Sequence, residues 1–363
     1  DIDNDGDLDF VAIGGDAGNT PIMYKYVNDG SPNFTGISFG APMLQASAVL
    51  GDIDSDGDLD LITSGIDKYI NDGAGSFSAA TSIGAAVAFG SISLGDLDGD
   101  SDLDIIASGA GRLERYTNNG AGAFSAAASF GTGLSSSATV VGDIDGDGDL
   151  DLVAAGNPGP RLDRYVNDGS GAFAGSAFGI GLRYPGLSLG DIDGDGDVDL
   201  IANGEDAGSI ARLDRYVNSG GLFAGPMPFG RGAALGSTAL GDLDGDGDLD
   251  LVVSGLSNTC CIGTARLDRY LNNQAVTNLA PPAPTGLAAS VVSNKWRLRW
   301  NKVGGDDHSA SNLIRYQIAV ATQTVSNAFR YVSTNIAFSP TTGRGQEHGA
   351  MGNVPISNFF KTG

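Results

Sequence analysis

Gly142-Asp143-Ile144-Asp145-Gly146-Asp147-Gly148-Asp149-Leu150-Asp151-Leu152-Val153-Ala154-Ala155-Gly156 is the stretch of this 363-residue chain that decides its fold. Five aspartates occupy alternate positions of a nine-residue segment, a glycine stands sixth, and a short apolar run follows and closes on glycine. The segment recurs from Asp1, Asp52, Asp96, Asp191 and Asp242, and successive starts lie 51, 44, 47, 48 and 51 residues apart. A repeat period in this range settles architecture before any single element does.

Around each segment some distances stay fixed. A glycine lies five residues after the last Asp, at Gly14, Gly65, Gly109, Gly156, Gly204 and Gly255. Another precedes the next segment's leading glycine by 11 residues, and in four of five cases it follows Phe (Phe39, Phe130, Phe178, Phe229), with Ile83 in the fifth. Each unit reads as four strands. A small-residue strand enters the loop, and an apolar strand such as Leu152-Val153-Ala154-Ala155, buried on both faces, leaves it. An alternating third strand, Arg-Leu-Asp-Arg-Tyr at 161–165, 212–216 and 266–270, ends in a turn such as Asn167-Asp168-Gly169, a hairpin signal because Asn and Gly accept positive φ. The fourth strand carries the Phe-Gly. In that third strand Arg is expected to pair with Asp on neighbouring strands while Tyr packs between units. The repeats carry no 3.6-residue apolar period. The fold class is therefore all-β, a β-propeller of four-stranded blades with six repeats visible. The first unit lacks its leading strand and the sixth its last, so six blades closed across that gap and seven with one upstream both satisfy the spacing.

The acidic segments hold 30 of the 44 Asp and Glu, so the other 14 face 20 Lys and Arg, and the net charge of −24 belongs to the loops. Such a chain is no nucleic-acid binder, and no apolar run approaches the ~20 residues of a membrane span. Alternate carboxylates in a tight loop suit a hard cation that takes six to eight oxygens, so each loop is expected to hold one Ca²⁺, up to six in all. The candidate ligands are Asp1, Asp3, Asp5, Asp7 and Asp9; Asp52, Asp54, Asp56, Asp58 and Asp60; Asp96, Asp98, Asp100, Asp102 and Asp104; Asp143, Asp145, Asp147, Asp149 and Asp151; Asp191, Asp193, Asp195, Asp197 and Asp199; and Asp242, Asp244, Asp246, Asp248 and Asp250. Positions one, three, five and nine are assigned to side-chain ligation and position seven to its backbone carbonyl. An EF-hand is excluded because its Glu at position 12 is replaced by Ala12, Thr63, Ala107, Ala154, Ala202 or Val253. Mg²⁺ fits less well, and without His or Cys near the loops zinc and copper do not fit. Ser101 stands where the other loops have Gly, which makes the third loop the expected weakest.

These residues resemble the FG-GAP/VCBS repeat of integrin-α-like propellers, across about residues 1–273. The resemblance implies a seven-bladed propeller with calcium in the loops between first and second strands, and a role in adhesion, ligand recognition or surface architecture. Acidic loops in all six units bring the chain closer to bacterial VCBS-type proteins. Residues 274–286 read as a Pro-rich linker, and 287–363 are similar to a fibronectin type III domain that stops before the sandwich is complete.

The expected function is extracellular: a calcium-stabilised module, secreted or on the cell surface, that binds a protein or carbohydrate partner. The alternative is a structural subunit of a fibre or surface layer, self-assembling through the incomplete sandwich. An enzyme is not expected, since His308 and His348 lie in the tail and no nucleophile motif or phosphate loop is present; a polysaccharide-active propeller is the remoter alternative. Beginning at Asp1 without Met, the chain reads as a processed or truncated piece. Its two cysteines, Cys260 and Cys261, are adjacent and cannot staple distant strands, though a vicinal disulfide would stiffen their loop.

Overall fold

The computed structural model describes residues 1–16, 18–30, 33–257 and 263–272 in full, and after them the backbone of Thr285–Val292, Lys295–Asn301, His348–Ala350 and Val354–Pro355. Every regular element among them is a strand. No helix among the described residues is long and apolar enough to cross a membrane.

Six antiparallel units follow one another. The first comprises Phe10–Gly15, Pro21–Asn28 and Phe34–Met43, and the second Ala48–Gly51, Asp60–Thr63, Asp67–Tyr69 and Thr81–Ser82. The third opens with Ser91–Gly95, Asp104–Gly109 and Arg112–Tyr116, the fourth is built on Asp151–Asn157 and Arg161–Asn167, and the fifth on Asp199–Glu205, Ala211–Ser219 and Leu222–Pro228. Thr238–Gly241, Asp250–Leu256 and Ala265–Tyr270 form the sixth. Between the third, fourth and fifth units the expected separate strands are continuous. Ala128–Gly142 ends one sheet and begins the next, and Phe173–Gly190 does the same. Each long strand shifts register between its two roles, and at the bend Ser136 (φ 47°) and Tyr184 (φ 50°) take left-handed backbone.

The acidic loops begin and end on one ladder rung. Gly51 pairs with Asp60, Gly95 with Asp104, Gly142 with Asp151, Gly190 with Asp199 and Gly241 with Asp250. Glycine at the first of each pair leaves room for the following unit. A Cβ on Gly95 would stand 2.5 Å from Leu150 Cδ1, and one on Gly190 2.7 Å from Leu249 Cδ1. The apolar second strands of the inner units are buried along their length, as at Asp104–Gly109 and Asp199–Glu205.

The core lies between units rather than inside them. Ile144, Val153 and Leu162 of the fourth unit pack with Val198, Leu200 and Tyr216 of the fifth, and Leu97, Ile106 and Leu113 of the third with Leu150, Leu152 and Tyr165 of the fourth. The Phe-Gly pairs belong to the same interfaces. Phe178 stacks on Phe223 of the next unit at 5.0 Å and meets Tyr216 edge-on at 5.6 Å, a geometry favoured by the ring quadrupole. Gly179 has φ +58°, and a Cβ there would lie 2.5 Å from Tyr216 Cε1, while Tyr216 Oη accepts the Ile180 N–H at 3.0 Å. Phe39 and Phe130 repeat the arrangement on Tyr69 and Tyr165.

The third-strand arginines differ from expectation. Arg161 binds Asp163 through both Nε and Nη2, and Arg212 binds Asp214 likewise, so the partner sits two residues along the same strand. Residues i and i+2 point to one face of a strand, so the long arginine side chain can lie along its own strand onto the carboxylate.

In the tail, Thr285–Val292 pairs with Lys295–Asn301, and the latter with His348–Ala350 and Val354–Pro355. The first of these strands starts directly after Pro284, two residues inside the expected linker. The rest of the linker, His308 and the Cys260-Cys261 pair lie outside the described residues.

Candidate metal centre

In the fourth loop the backbone and the carboxylates shape one another. Asp143 accepts the N–H of Gly146 (2.8 Å) on Oδ1 and that of Gly148 (3.1 Å) on Oδ2. Asp147 accepts the Asp149 N–H at 2.9 Å. Asp151, the ninth position, takes the Ile144 N–H (3.1 Å) on one oxygen and the Asn167 N–H (2.8 Å) on the other. The same pattern holds round Asp52, Asp56 and Asp60 and round Asp191, Asp195 and Asp199. These bonds demand left-handed backbone at the fourth and sixth positions, for example 78° at Gly146 and 96° at Gly148. Ser101 takes the sixth position at φ 77°, and its N–H still reaches Asp96 at 3.0 Å.

The aspartate at position three stands apart. Asp3, Asp54, Asp98, Asp145 and Asp193 each keep Oδ1 buried with no hydrogen-bond partner, and Asp1 Oδ1 and Asp104 Oδ2 share that condition. A buried carboxylate oxygen left unpaired is costly, and five of the six loops place one at the same point. Carboxylate oxygens of Asp1, Asp3 and Asp5 lie within 4.8 Å of one another, as do those of Asp96, Asp98 and Asp100 and of Asp191, Asp193 and Asp195. In the second and fourth loops the converging set is Asp52, Asp54 and Asp60, and Asp143, Asp145 and Asp151. Every residue of these five sets comes from positions one, three, five and nine. The seventh side chain faces elsewhere: Asp197 accepts the N–H of Gly220 at 2.9 Å, and Asp58 lies against turn residue Gly73.

Burial dominates the electrostatics. It pushes the Asp60 carboxyl up to about 6, and those of Asp104, Asp151 and Asp199 up to about 7, against the backbone N–H bonds and with help from neighbouring carboxylates. Asp54, Asp98, Asp145 and Asp193 rise for the same first cause, and the last three are partly relieved by Arg115, Arg164 and Arg215. A site of crowded, desolvated carboxylates with unpaired oxygens converging on one point fits a hard divalent cation.

What buries the position-three aspartate is the next unit. A Cβ on turn residue Gly221 would lie 2.6 Å from Asp145 Cβ, one on Gly75 3.0 Å from Asp3 Cβ, and one on Gly122 3.3 Å from Asp54 Cβ. In three units the basic residue before the third-strand Tyr holds that turn down: Lys25 donates to the Gly75 carbonyl, Lys68 to that of Gly122 and Arg115 to that of Ser170. An asparagine completes the link. Asn118 Nδ2 donates to Ile53 O of the preceding loop (2.7 Å) and to Leu103 O of its own (3.2 Å). Asn71 does the same to Ile2 O and Leu59 O, and Asn167 to Leu97 O and Leu150 O. Asn218 and Asn272 reach Ile144 O and Ile192 O. The turn reading accounted for the hairpin and missed this role. The available signal is Tyr-x-Asn, present in all six units at Tyr26-Val27-Asn28, Tyr69-Ile70-Asn71, Tyr116-Thr117-Asn118, Tyr165-Val166-Asn167, Tyr216-Val217-Asn218 and Tyr270-Leu271-Asn272.

Among solved structures the chain is similar to a lectin of Agrocybe aegerita described for recognition of non-reducing terminal N-acetylglucosamine (17% identity, TM-score 0.48, 97% of this chain and 83% of that one). It is also similar to the Aleuria aurantia lectin in complex with Fucα1-6GlcNAc (12%, 0.42, 72% and 92%). A third is the Vibrio cholerae biofilm matrix protein Bap1 (15%, 0.36), where 84% of this chain aligns with 47% of that protein. Comparison with curated proteins gives no match. The family described as FG-GAP-like repeat matches residues 1–63, 96–154, 143–202 and 191–253. These segments cover well over half of the sequence and each spans two successive acidic loops, so the chain belongs to the FG-GAP-like repeat family.

Proposed function

We propose that this chain is a calcium-stabilised recognition module of the extracellular space, with one Ca²⁺ in each acidic loop. The observation that carries the reading is the third-position carboxylate oxygen, buried and unpaired in five successive loops. A bound cation supplies the missing partner and neutralises a cluster whose members otherwise repel. The all-oxygen donor set favours calcium, which millimolar extracellular concentrations would keep in place. Calorimetric titration of chelator-treated protein tests this: several calcium ions per chain and a large rise in Tm are expected, and no binding at millimolar calcium would overturn it.

Recognition of a protein or carbohydrate partner is assigned to the end of the units opposite the loops. The second-to-third connections there vary most in length, and variable connections on a rigid frame are where binding concentrates. A cleft of about 460 Å³ opens there between the fifth and sixth units, lined by Ser209, Ile210, Arg231, Ser257 and Arg266 among others. Two guanidinium groups and two hydroxyls suit a hydroxyl-rich or anionic ligand. A glycan array read with the calcium-loaded chain and with Arg231→Ala tests the assignment, and retention of every hit by the variant would remove the cleft from consideration.

A further inference from the structure

The position-nine aspartates are joined to one another from loop to loop. Asp60 accepts the Ile53 N–H of its own loop on one oxygen (3.2 Å) and the Asn71 N–H on the other (2.8 Å). Asn71 carries the connection into the loop before. Its Nδ2 donates to Ile2 O at 2.8 Å, and the Ile2 N–H donates to Asp9, the position-nine aspartate there, at 2.7 Å. Two candidate ligands in different loops are thus linked by one asparagine and one further residue. The same steps lead from Asp104 through Asn118 and Ile53 to Asp60. They recur from Asp199 through Asn218 and Ile144 to Asp151, and from Asp250 through Asn272 and Ile192 to Asp199.

The series is interrupted once. Between the third and fourth loops Asn167 still donates its N–H to Asp151 and its Nδ2 to Leu97 O. Asp104 Oδ2, however, the oxygen that would receive the Leu97 N–H, has no hydrogen-bond partner. That N–H lies near enough to lower the Asp104 carboxyl slightly, as the smallest of the influences on it, without bonding to it. A second difference falls at the same boundary. The turns after Asn71, Asn118 and Asn218 lay a glycine over the position-three aspartate of the loop before: Gly75 over Asp3, Gly122 over Asp54 and Gly221 over Asp145. The turn after Asn167 instead sets Gly171 on the Arg115 guanidinium, and the three atoms nearest to a Cβ placed there all belong to Arg115.

We propose that the calcium sites fill as two cooperative blocks, loops one to three and loops four to six, with little coupling across the boundary between Asp104 and Asp151. This rests on the calcium reading above and adds the regulation of those sites. With a cation in the second loop, Asp60 is fixed in place. A fixed Asp60 holds Asn71 and its turn, and these hold Ile2 and cover Asp3. The loop before then binds with part of its ordering already done, which is positive coupling. By linkage the effect is equal in both directions. Repulsion between neighbouring cations acts the other way, but each would sit among five aspartates, and such forces are screened within about 8 Å at physiological salt. Coupling between sites is typically about 5- to 150-fold, and a single hydrogen-bonded link belongs at the lower end, about 5- to 20-fold per neighbour. The array would then stiffen over two narrow ranges of calcium concentration.

Hydrogen exchange of the whole chain, read loop by loop by mass spectrometry across a calcium titration at physiological salt, tests this. Asp100 and Asp195 belong to the converging sets of the third and fifth loops, are exposed, and lie outside the relay. Asp100→Ala is expected to raise the calcium midpoint of the second loop about 5- to 20-fold while the fourth keeps its own. Asp195→Ala is expected to raise those of the fourth and sixth and to leave the first three in place. Parent-like protection of the untouched block at saturating calcium shows that each variant has folded. Asn118→Ala cuts the link between the second and third loops and leaves every ligand present, so adding Asp100→Ala to it is expected to move the second loop no further.

A second-loop midpoint that ignores Asp100→Ala overturns the proposal, as does a fourth-loop shift as large as the second loop's. Six independent midpoints in the unmodified chain overturn the proposal and leave the calcium reading standing. Exchange that does not respond to calcium at any loop overturns that reading and the proposal with it.

Discussion

Asn118 Nδ2 lies 2.7 Å from the carbonyl oxygen of Ile53, a residue 65 positions earlier that sits between two aspartates of the preceding acidic loop. One side-chain amide thus fixes two loops, because the same nitrogen also reaches Leu103 O and the Asn118 N–H is taken by Asp104.

Asn118→Ala is therefore expected to affect the second and third loops together. It leaves one buried carbonyl in each without its donor, a cost of about 2–4 kcal/mol. Urea denaturation measures that loss. A calcium titration of the variant is expected to show two weakened sites, and the double variant with Asp54→Ala less than additive damage, since both act on the second loop.

The Phe-Gly glycines separate from the loop glycines by what surrounds them. Gly179→Ala brings a Cβ to within 2.5 Å of Tyr216 at φ +58° and is expected to cost about 2–4 kcal/mol from clash and backbone strain together. Gly146→Ala, with open space around it and φ +78°, is expected to cost about 1 kcal/mol from strain alone. Equal denaturation midpoints for the two variants would contradict the packing argument.

Stability in the absence of metal depends on pH with an unusual sign. Asp60 titrates at about 6 and Asp104, Asp151 and Asp199 at about 7 in the fold, against an ordinary carboxylate value near 3.8. Between those values the folded chain holds more protons than the unfolded one, so stability falls as pH rises. It is fully present below about pH 4 for these groups and is lost as pH passes 6 to 7. In chelator, Tm at pH 5 is expected to exceed Tm at pH 7.5; in excess calcium, which needs the ionised carboxylates, the order is expected to reverse.

Ser101 holds φ 77° at a position where the other five loops have glycine at 94–103°. Ser101→Gly is expected to stabilise the fold by about 1 kcal/mol and to tighten the third loop's calcium site. The sixth loop, with Asp244 exposed, is expected to join the third among the weaker sites, so Asp244→Ala should remove one weak step of a titration and leave the others in place.

The acidic loops and the strand order were legible because both are local. Asp143 to Asp151 spells out its own turn, and the run after it spells out a buried strand. What sequence reading missed depends on residues of another unit. Asn167 looks like a turn former until Leu97 O is seen beside it, and Gly179 is only a fixed-distance strand glycine until Tyr216 fills the space where its side chain would be. The Arg161–Asp163 pair was found but given to the wrong strand, because alternation places residues on a face without saying which neighbour on that face is nearest. The continuous strands Ala128–Gly142 and Phe173–Gly190 were divided in the reading because each unit was given its own first and fourth strand.

The interface through which Phe178 and Gly179 hold Tyr216 has a genealogical consequence. Each internal unit contributes a donor half on one side and a receiving half on the other, all encoded within its own period. A duplicated segment of about one period therefore arrives already equipped to fit both neighbours. Copy number in such an array changes by a single duplication or loss, without new contacts having to be invented, and the alterations that accumulate harmlessly afterwards are those in the connections that touch no neighbouring unit.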